Sequence, residues 1–485
     1  MRTFSLLPLG VLFVCFEAAL RLGLVNVSVE AKQQCRLRFD NSQVPLRSSP
    51  NIGSPGPSTT GHSPTSTSPS GASAALASPT PFNYGTDKIR GVNLGGWLVL
   101  EPWITPSIFE NTNNDNVLDE FTLGQLVDQK TALTMLEQHW DTWITEDDFK
   151  AISAAGLNHV RIPIGYWSIP LTSSDTNTST STAPYIPGAW TYLLRALTWA
   201  RNHSVHVIID LHGAPGSQNG YDNSGQRTSD PIWGVTPANI TRTIDTLRFI
   251  VENVDGMVDV IELLNEAAGF KGDDWAAAIR QFWLDGYDVV RQAAGAGIKV
   301  MIGDAFLGVQ SWTNFLVPPR GQGVLMDFHE YQIFSDLELN RTFDDHVSFA
   351  CGYQQSLSSF SSSNIWTVIG EWSNAPTDCA KWLNGRGIGA RWDNTYYPGP
   401  TSMYHGSCTN FTGSYVGFSQ DYKAFLRKYW EVQVEIGENI QGWVFWTWKV
   451  SSPARSHSIL RSISAWTTAK SMDCQSLSWG LKIDL

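Results

Sequence analysis

The chain has 485 residues, 42% of them apolar and 12% aromatic, which fits a globular enzyme with a large core; its 21 tryptophans are more than a core alone usually uses. Against 33 basic residues stand 45 acidic ones, a formal charge of -12. That balance argues against nucleic acid or another acidic polymer as the main partner and leaves room for a neutral ligand such as a sugar.

Residues 1–20 begin with Arg2 and continue into FSLLPLGVLFVCF, an apolar stretch too short to span a bilayer comfortably. Residues 1–30 therefore read as a secretory signal peptide, with an uncleaved signal anchor as the alternative because no clean small-x-small site follows. Residues 31–81 are read as a disordered spacer, its 51–81 portion almost wholly Ser, Thr, Pro, Gly and Ala, a composition that cannot bury enough apolar surface to fold. The catalytic domain is expected over 82–485. The closing GLKIDL is short and charged, which argues against a lipid-anchor signal, so no stable membrane insertion is expected once the leader is cleaved. Export would expose the sequons at Asn26, Asn177, Asn202, Asn239, Asn340 and Asn410 as glycosylation candidates.

From residue 82 the chain keeps one rhythm. Strand-like runs at 89–100, 157–164, 205–211, 257–264, 298–302, 324–328, 366–369 and 442–446 alternate with helical patterns, clearest at 190–201, 240–252, 275–293 and 422–437. The alternation predicts an α/β fold, a closed (β/α)8 barrel with loop insertions at 102–140 and 168–187. An open doubly wound sheet is the rival, weakened because no glycine-rich nucleotide loop follows the first strand.

In such a barrel the chemistry sits where strands end. These ends carry Glu101, Arg161, Asp210 with His212, Asn265 with Glu266, His329 with Tyr331, Glu371, and Trp446. Two apolar runs, VDVIELLNE over 258–266 and IWTVIGE over 365–371, each stop on a carboxylate. Taken alone, either glutamate could merely cap a strand or a following helix. Two carboxylates set among tryptophans are what general acid/base work and nucleophilic attack on a glycosidic bond require. The histidines are far apart in sequence, with no HExxH and no cysteine beside them, so neither a metal nor another cofactor is expected.

From about Tyr84 onward the chain resembles the fungal exo-β-1,3-glucanases of glycoside hydrolase family 5. The resemblance rests on RGVNLGGW (90–97), RIP (161–163), DLHGAPGSQNG (210–220), LNE (264–266), GEW (370–372) and GWVFW (442–446). It implies that Glu266 is the acid/base and Glu371 the nucleophile of a retaining mechanism. Retention wants the two carboxyls roughly 5 Å apart, the acid with a raised pKa and the nucleophile kept ionised by donors. By the same resemblance Arg161 donates to Glu371, Asn265 serves the sugar 2-hydroxyl, and His212, His329 and Tyr331 surround the reacting sugar. Glu101 and Trp446 match the first subsite, and Tyr221 and Phe334 the aromatic clamp at the entrance. Tyr221 departs from the commoner phenylalanine, and Ala267-Ala-Gly stands where many relatives continue with proline. The activity implied is a secreted, extracellular or wall-associated glucosidase, expected as a monomer, that releases glucose from the non-reducing ends of β-1,3-glucan. The alternatives are a relative acting on β-1,6-glucan or a glucosylated lipid, and a non-catalytic wall-glucan-binding protein.

Of six cysteines, Cys15 leaves with the leader and Cys35 precedes the Ser/Thr/Pro-rich run. The remaining four allow three pairings. The resemblance implies Cys379 with Cys408 and Cys351 with Cys474, in keeping with export.

Overall fold

The computed structural model describes residues 81–172, 180–254, 256–398 and 402–451, all within the unit Ala77–Leu485. Eight parallel strands close on one another in chain order: β1 Ile89–Asn93, β2 His159–Gly165, β3 His206–Gly213, β4 Val260–Glu262, β5 Lys299–Gly303, β6 Val324–Glu330, β7 Trp366–Trp372 and β8 Gly442–Phe445. The closing edge pairs Ile89 with Gly442 and Val92 with Phe445. Outside lie α1 Glu146–Ala154, α2 Ala189–Asn202, α3 Pro237–Asn253, α4 Asp273–Ala294, α5 Phe343–Ser363 and α6 Gln420–Glu438. The barrel read from the alternation is therefore the observed fold, and all eight strand positions agree.

Alternation along each strand sends one set of side chains outward and one inward. The outward set, including Val160, Ile162, Val207, Ile209, Ile261, Val300, Ile302 and Trp443, joins helix residues such as Ile152, Leu193, Ile250 and Phe282 in one large core. The inward set begins with a separate apolar cluster of Ile89, Ile208, Val260, Met301, Leu325, Val368 and Val444, covered by Phe82, Tyr84 and Trp366. Further along the same strands the inward positions turn polar: Asn93, Arg161, Asp210, Glu262 and Asp327, all buried.

Two details differ from expectation. The first strand ends at Asn93 rather than running to Leu100. The chain turns there because Gly95 must pass the barrel mouth, where an added Cβ would sit 2.8 Å from the Trp446 ring, and because the Gly95 amide donates to Thr447 Oγ1 (2.9 Å). Periodicity also did not single out α5 or the helix Gln129–Thr142. α5 is rich in serine and polar residues, and it is started by a capping box in which Thr342 and Asp345 each accept from the other's backbone amide.

The Cys379–Cys408 disulfide is present, and Cys474 lies outside the described residues. Asn202, Asn340 and Asn410 are exposed, Asn239 is half-buried, and Asn177 lies outside the described residues. No helix among the described residues is long and apolar enough to cross a membrane.

Candidate active site

Two breaks in the barrel's register fall at the site. Between β2 and β3 the pairing jumps from Ile164–Leu211 to Gly165–Gly213, leaving His212 unopposed. Between β6 and β7 it jumps from Phe328–Ile369 to His329–Glu371, leaving Gly370 unopposed. Each extra residue re-aims the side chains beside it, here those of His212 and Glu371. Position 370 must be glycine, since a Cβ would lie 2.1 Å from Asp327 Oδ1, the atom that accepts the Gly370 amide at 2.8 Å.

Arg161, wholly buried on β2, ties the polar positions together. Its Nε donates to Glu262 Oε2 (2.7 Å), its Nη1 to Asn93 Oδ1 (3.0 Å) and Glu371 Oε1 (2.9 Å), and its Nη2 to Asn265 Oδ1 (2.8 Å). Asp210 Oδ2 lies 3.1 Å from Nη1 and Asp327 Oδ2 3.8 Å from Nη2. Burial opposes its charge, but Asp210, Glu262, Glu371 and Asp327 outweigh that and hold Arg161 protonated.

The two strand-end carboxylates meet above it. Glu371 accepts from Arg161 on Oε1 and from the Tyr331 hydroxyl on Oε2 (2.9 Å). Glu266, in a left-handed backbone conformation (φ 45°), accepts from His329 Nδ1 on Oε1 (3.0 Å) and from Asn223 Nδ2 on Oε2 (2.8 Å). Strain of this kind persists where the surroundings over-determine a functional side chain. One oxygen each of Glu266 and Glu371 and one His329 nitrogen lie within 4.8 Å of one another.

The resting protons are arranged otherwise than the acid-and-nucleophile assignment anticipates. Burial pushes Glu266 up, yet the hydrogen bond and charge of His329, with Asn223 and His212, hold it below the ordinary carboxylate value. Burial raises Glu371, with Glu266 adding to the rise and His329 and Arg161 pulling against it. His329 is pushed down by burial but lifted well above its usual value by Glu371 and Asp327. A charged imidazole thus spans Glu266 and Asp327, its Nε2 donating to Asp327 Oδ2 at 3.1 Å. The tendency to hold a proton is thus raised on His329 and lowered on Glu266, one hydrogen bond away. The sets Glu266, His329, Glu371 and Glu262, Asp327, His329 are close enough to surround a cation. Both already enclose positive charge, on His329 and Arg161, so this donor set suits protons better than a metal.

A family model described as Cellulase (glycosyl hydrolase family 5) matches residues 125–385. Glucan 1,3-beta-glucosidase of Blumeria graminis is 42% identical over 382 residues, 78% of this chain and 85% of the relative. Glucan 1,3-beta-glucosidase 2 of Wickerhamomyces anomalus is 41% identical, over 78% of this chain and 90% of that one. The chain belongs to glycosyl hydrolase family 5. Among solved structures, rutinosidase from Aspergillus niger overlays with a TM-score of 0.58 at 18% identity, covering 77% of this chain and 93% of that one, a likeness of fold.

Around this family 5 centre the remaining expected residues fall into a floor and a rim. Trp446 and Glu101 are nearly buried, at 7% and 6% exposure. The Trp446 ring stacks on His212 (5.7 Å, 8° between planes), and Trp103 Nε1 donates to Glu101 Oε2 at 2.9 Å. Burial raises Glu101 well above the ordinary carboxylate value. His212 Nδ1 donates to Asp210 Oδ2 at 2.5 Å, and its Nε2 lies 3.5 Å from Asn265 Nδ2. Tyr221 and Phe334 are exposed at 45% and 39%. The Phe334 ring meets Tyr331 edge-on at 5.8 Å.

The insertion after β1 walls this rim. Its Phe121 amide donates to Gly225 O (2.9 Å), its Asp119 accepts from the Arg227 amide (2.6 Å), and its Asn114 carbonyl accepts from Arg386 (3.0 Å). The loops after β1, β3 and β7 are thereby fastened to one another. Sequence reasoning missed Asn93, Trp103, Asn223, Glu262 and Asp327. Glu262 and Asp327 each stand two residues after an inward apolar residue, Val260 and Leu325, a parity that becomes a signal only once the inward face is known.

Proposed function

We propose that the protein is a retaining glycosidase that removes glucose from the non-reducing ends of β-1,3-glucan. The observation that carries the reading is the unequal dressing of two neighbouring carboxylates. Glu371 receives Arg161 and Tyr331, donors that aim it and stabilise its charge, whereas Glu266 is joined to a proton-bearing His329. Their approach, with one oxygen of each within 4.8 Å of the other, favours direct attack, because inversion needs room for a water and a gap of about 6.5 Å or more.

In the first step Glu371 attacks C1, the bond from C1 to the leaving oxygen breaks, and Glu266 protonates that oxygen with a proton relayed from His329 Nδ1. Glu266 then takes a proton from the incoming water, which displaces Glu371 from C1. Asn265, its carbonyl fixed by Arg161, turns its amide toward the site, where a bond to the sugar 2-hydroxyl strengthens in the transition state.

Three further observations support the substrate and the mode of attack. The relatives at 41–42% identity are named for glucan 1,3-β-bonds. The near-complete burial of Glu101 and Trp446 suits a chain end rather than an internal glucose. The exposed rings of Tyr221 and Phe334 suit stacking on the next sugars. The disulfide, with the leader expected over residues 1–30, suits an extracellular, wall-associated setting. The test is a time course on reduced laminarioligosaccharides read by proton NMR and chromatography. β-Glucose is expected first, without internal fragments. α-Glucose first would overturn retention, fragments preceding glucose would overturn exo attack, and faster turnover of pustulan would overturn the linkage.

A further inference from the structure

Four carboxylates, Asp210, Glu262, Asp327 and Glu371, face the one guanidinium of Arg161 in a dry interior. The other titratable groups beside them are His212 on β3, His329 on β6 with Tyr331 just after it, Glu266 after β4, Asp304 after β5 and Glu101 after β1, while β1 itself contributes the neutral Asn93. Buried carboxylates this close cannot all be ionised, so at least one must hold a proton.

The partners decide which. Glu371 has Arg161 and Tyr331; Asp210 has Arg161 and His212; Asp327 has the Gly370 amide and His329 Nε2. Among the described residues two of these buried oxygens, Asp210 Oδ1 and Glu262 Oε1, meet no donor; Asp210 has two cationic or N–H partners on its other oxygen, whereas Glu262 has only Arg161 Nε, on Oε2. An oxygen of Glu262 lies within 4.8 Å of one of Asp327. An acceptor without a donor, beside a carboxylate that can accept, marks the place for a proton.

We propose that Glu262 is a neutral carboxylic acid donating from Oε1 to Asp327, and that it acts as a positioning residue keeping the charge of Arg161 on the nucleophile. A neutral carbonyl accepts from Nε more weakly than a carboxylate would, so the guanidinium stays committed to Glu371 and Asn265. An ionised Glu262 would compete for it. Electrostatics agrees: burial is the largest push upward on Glu262, only partly offset by Arg161 and reinforced by Asp210 and Asp327. Asp327, pushed up by burial, is held down by His329, Arg161 and the bond from Glu262.

The kinetic consequence rests on Glu371 being the nucleophile; the location of the proton does not. The test uses the full-length protein at pH 7 and isotope-edited infrared difference spectra of wild type against Glu262→Gln and against Asp210→Asn. The carbonyl stretch of a protonated buried acid is expected to vanish only with Glu262→Gln. Kinetically, Glu262→Ala should lower kcat/KM by about 10–100-fold, as loss of a group that orients a reacting one does, and move the acid limb of the pH profile. Glu262→Gln, an isostere of the neutral acid, should restore activity to within about ten-fold and return the acid limb. Loss of the band with Asp210→Asn instead, no band lost at all, or a glutamine variant as impaired as the alanine would overturn the proposal. A Glu371→Ala protein that stays active while the band still vanishes with Glu262→Gln would sink the nucleophile assignment and leave the proton where it is placed.

Discussion

Two sets of side chains fill the same barrel, one step of the strand alternation apart, and they are held by opposite means. Ile208, Val260 and Leu325 belong to a dry apolar set in which each side chain adds about 1.5–3 kcal/mol by leaving water. Two residues further along the same strands stand Asp210, Glu262 and Asp327, for which desolvation roughly cancels the attraction to Arg161. The backbone is equally regular at both levels. The apolar set therefore contributes stability and the polar set contributes chemistry, and substitutions should separate the two.

The largest effect is expected at the top of the polar set. Glu371→Ala should cut turnover of laminarin by at least about 10⁴-fold, because the covalent step disappears, while the thermal melt moves little. Azide should restore cleavage of an aryl glucoside and yield a glucosyl azide of inverted configuration. More than a few per cent residual activity, or a collapsed melt, would place Glu371 among the structural residues instead.

A paired comparison on β6 sharpens the contrast. Leu325→Ala should cost about 2–5 kcal/mol of stability and leave kcat/KM nearly untouched at low temperature, because it opens a cavity far from the sugar. Asp327→Asn, two residues away, should do the reverse. It leaves the cations paired, since Arg161 keeps Glu371, Asp210 and Glu262, but of the two anions that raise His329, Glu371 and Asp327, it removes the second. The expected result is about a 10–100-fold loss of kcat/KM with the basic limb shifted to lower pH. Equal stability losses without a kinetic split would erase the distinction between the two sets.

That distinction was only half legible in the sequence. All eight strands and four of the long helices could be read, because apolar runs punctuated by polar strand ends are local patterns; Tyr221 and Phe334 were expected only from the family resemblance. The polar interior was not, because Glu262 and Asp327 sit inside those runs and pass for interruptions of an apolar strand. Only closure of the barrel shows that alternate residues of β2, β3, β4 and β6 converge on one guanidinium. The hydrogen bond between Glu266 and His329 was hidden for the same reason: sequence separates them by 63 residues and space by 3.0 Å. Asn223 and Trp103 lay in loops, where neither period applies.

The smallest predicted effect tests whether proton-loaded acids are a general habit of this molecule's interior. Glu120, Asp222 and Glu330 are pushed up to about 7 and Asp304 to about 6, in each case chiefly by burial. Folded, these groups keep protons that the unfolded chain releases near pH 4, so the stability they contribute is complete below that point and is lost as pH rises toward 7. His329, raised above its ordinary value of about 6.5, acts in the same direction at higher pH: its contribution is intact below 6.5 and fades above. Asp259, Glu266 and Asp327, held low, lose theirs only as pH falls below about 4. Stability should therefore peak near pH 5, with a melting temperature some 5 °C higher there than at pH 7.5. Glu330→Gln should flatten part of that slope without touching the sugar site. Glu330, the last residue of β6, bonds Gln332 and, on α6, Gln433, whose Oε1 has no partner and can flip to accept from the new amide. A melting temperature that instead rises from pH 5 to 7.5 would mean that these interior acids are ionised, and that the polar set is held by more cationic charge than Arg161 and His329 supply.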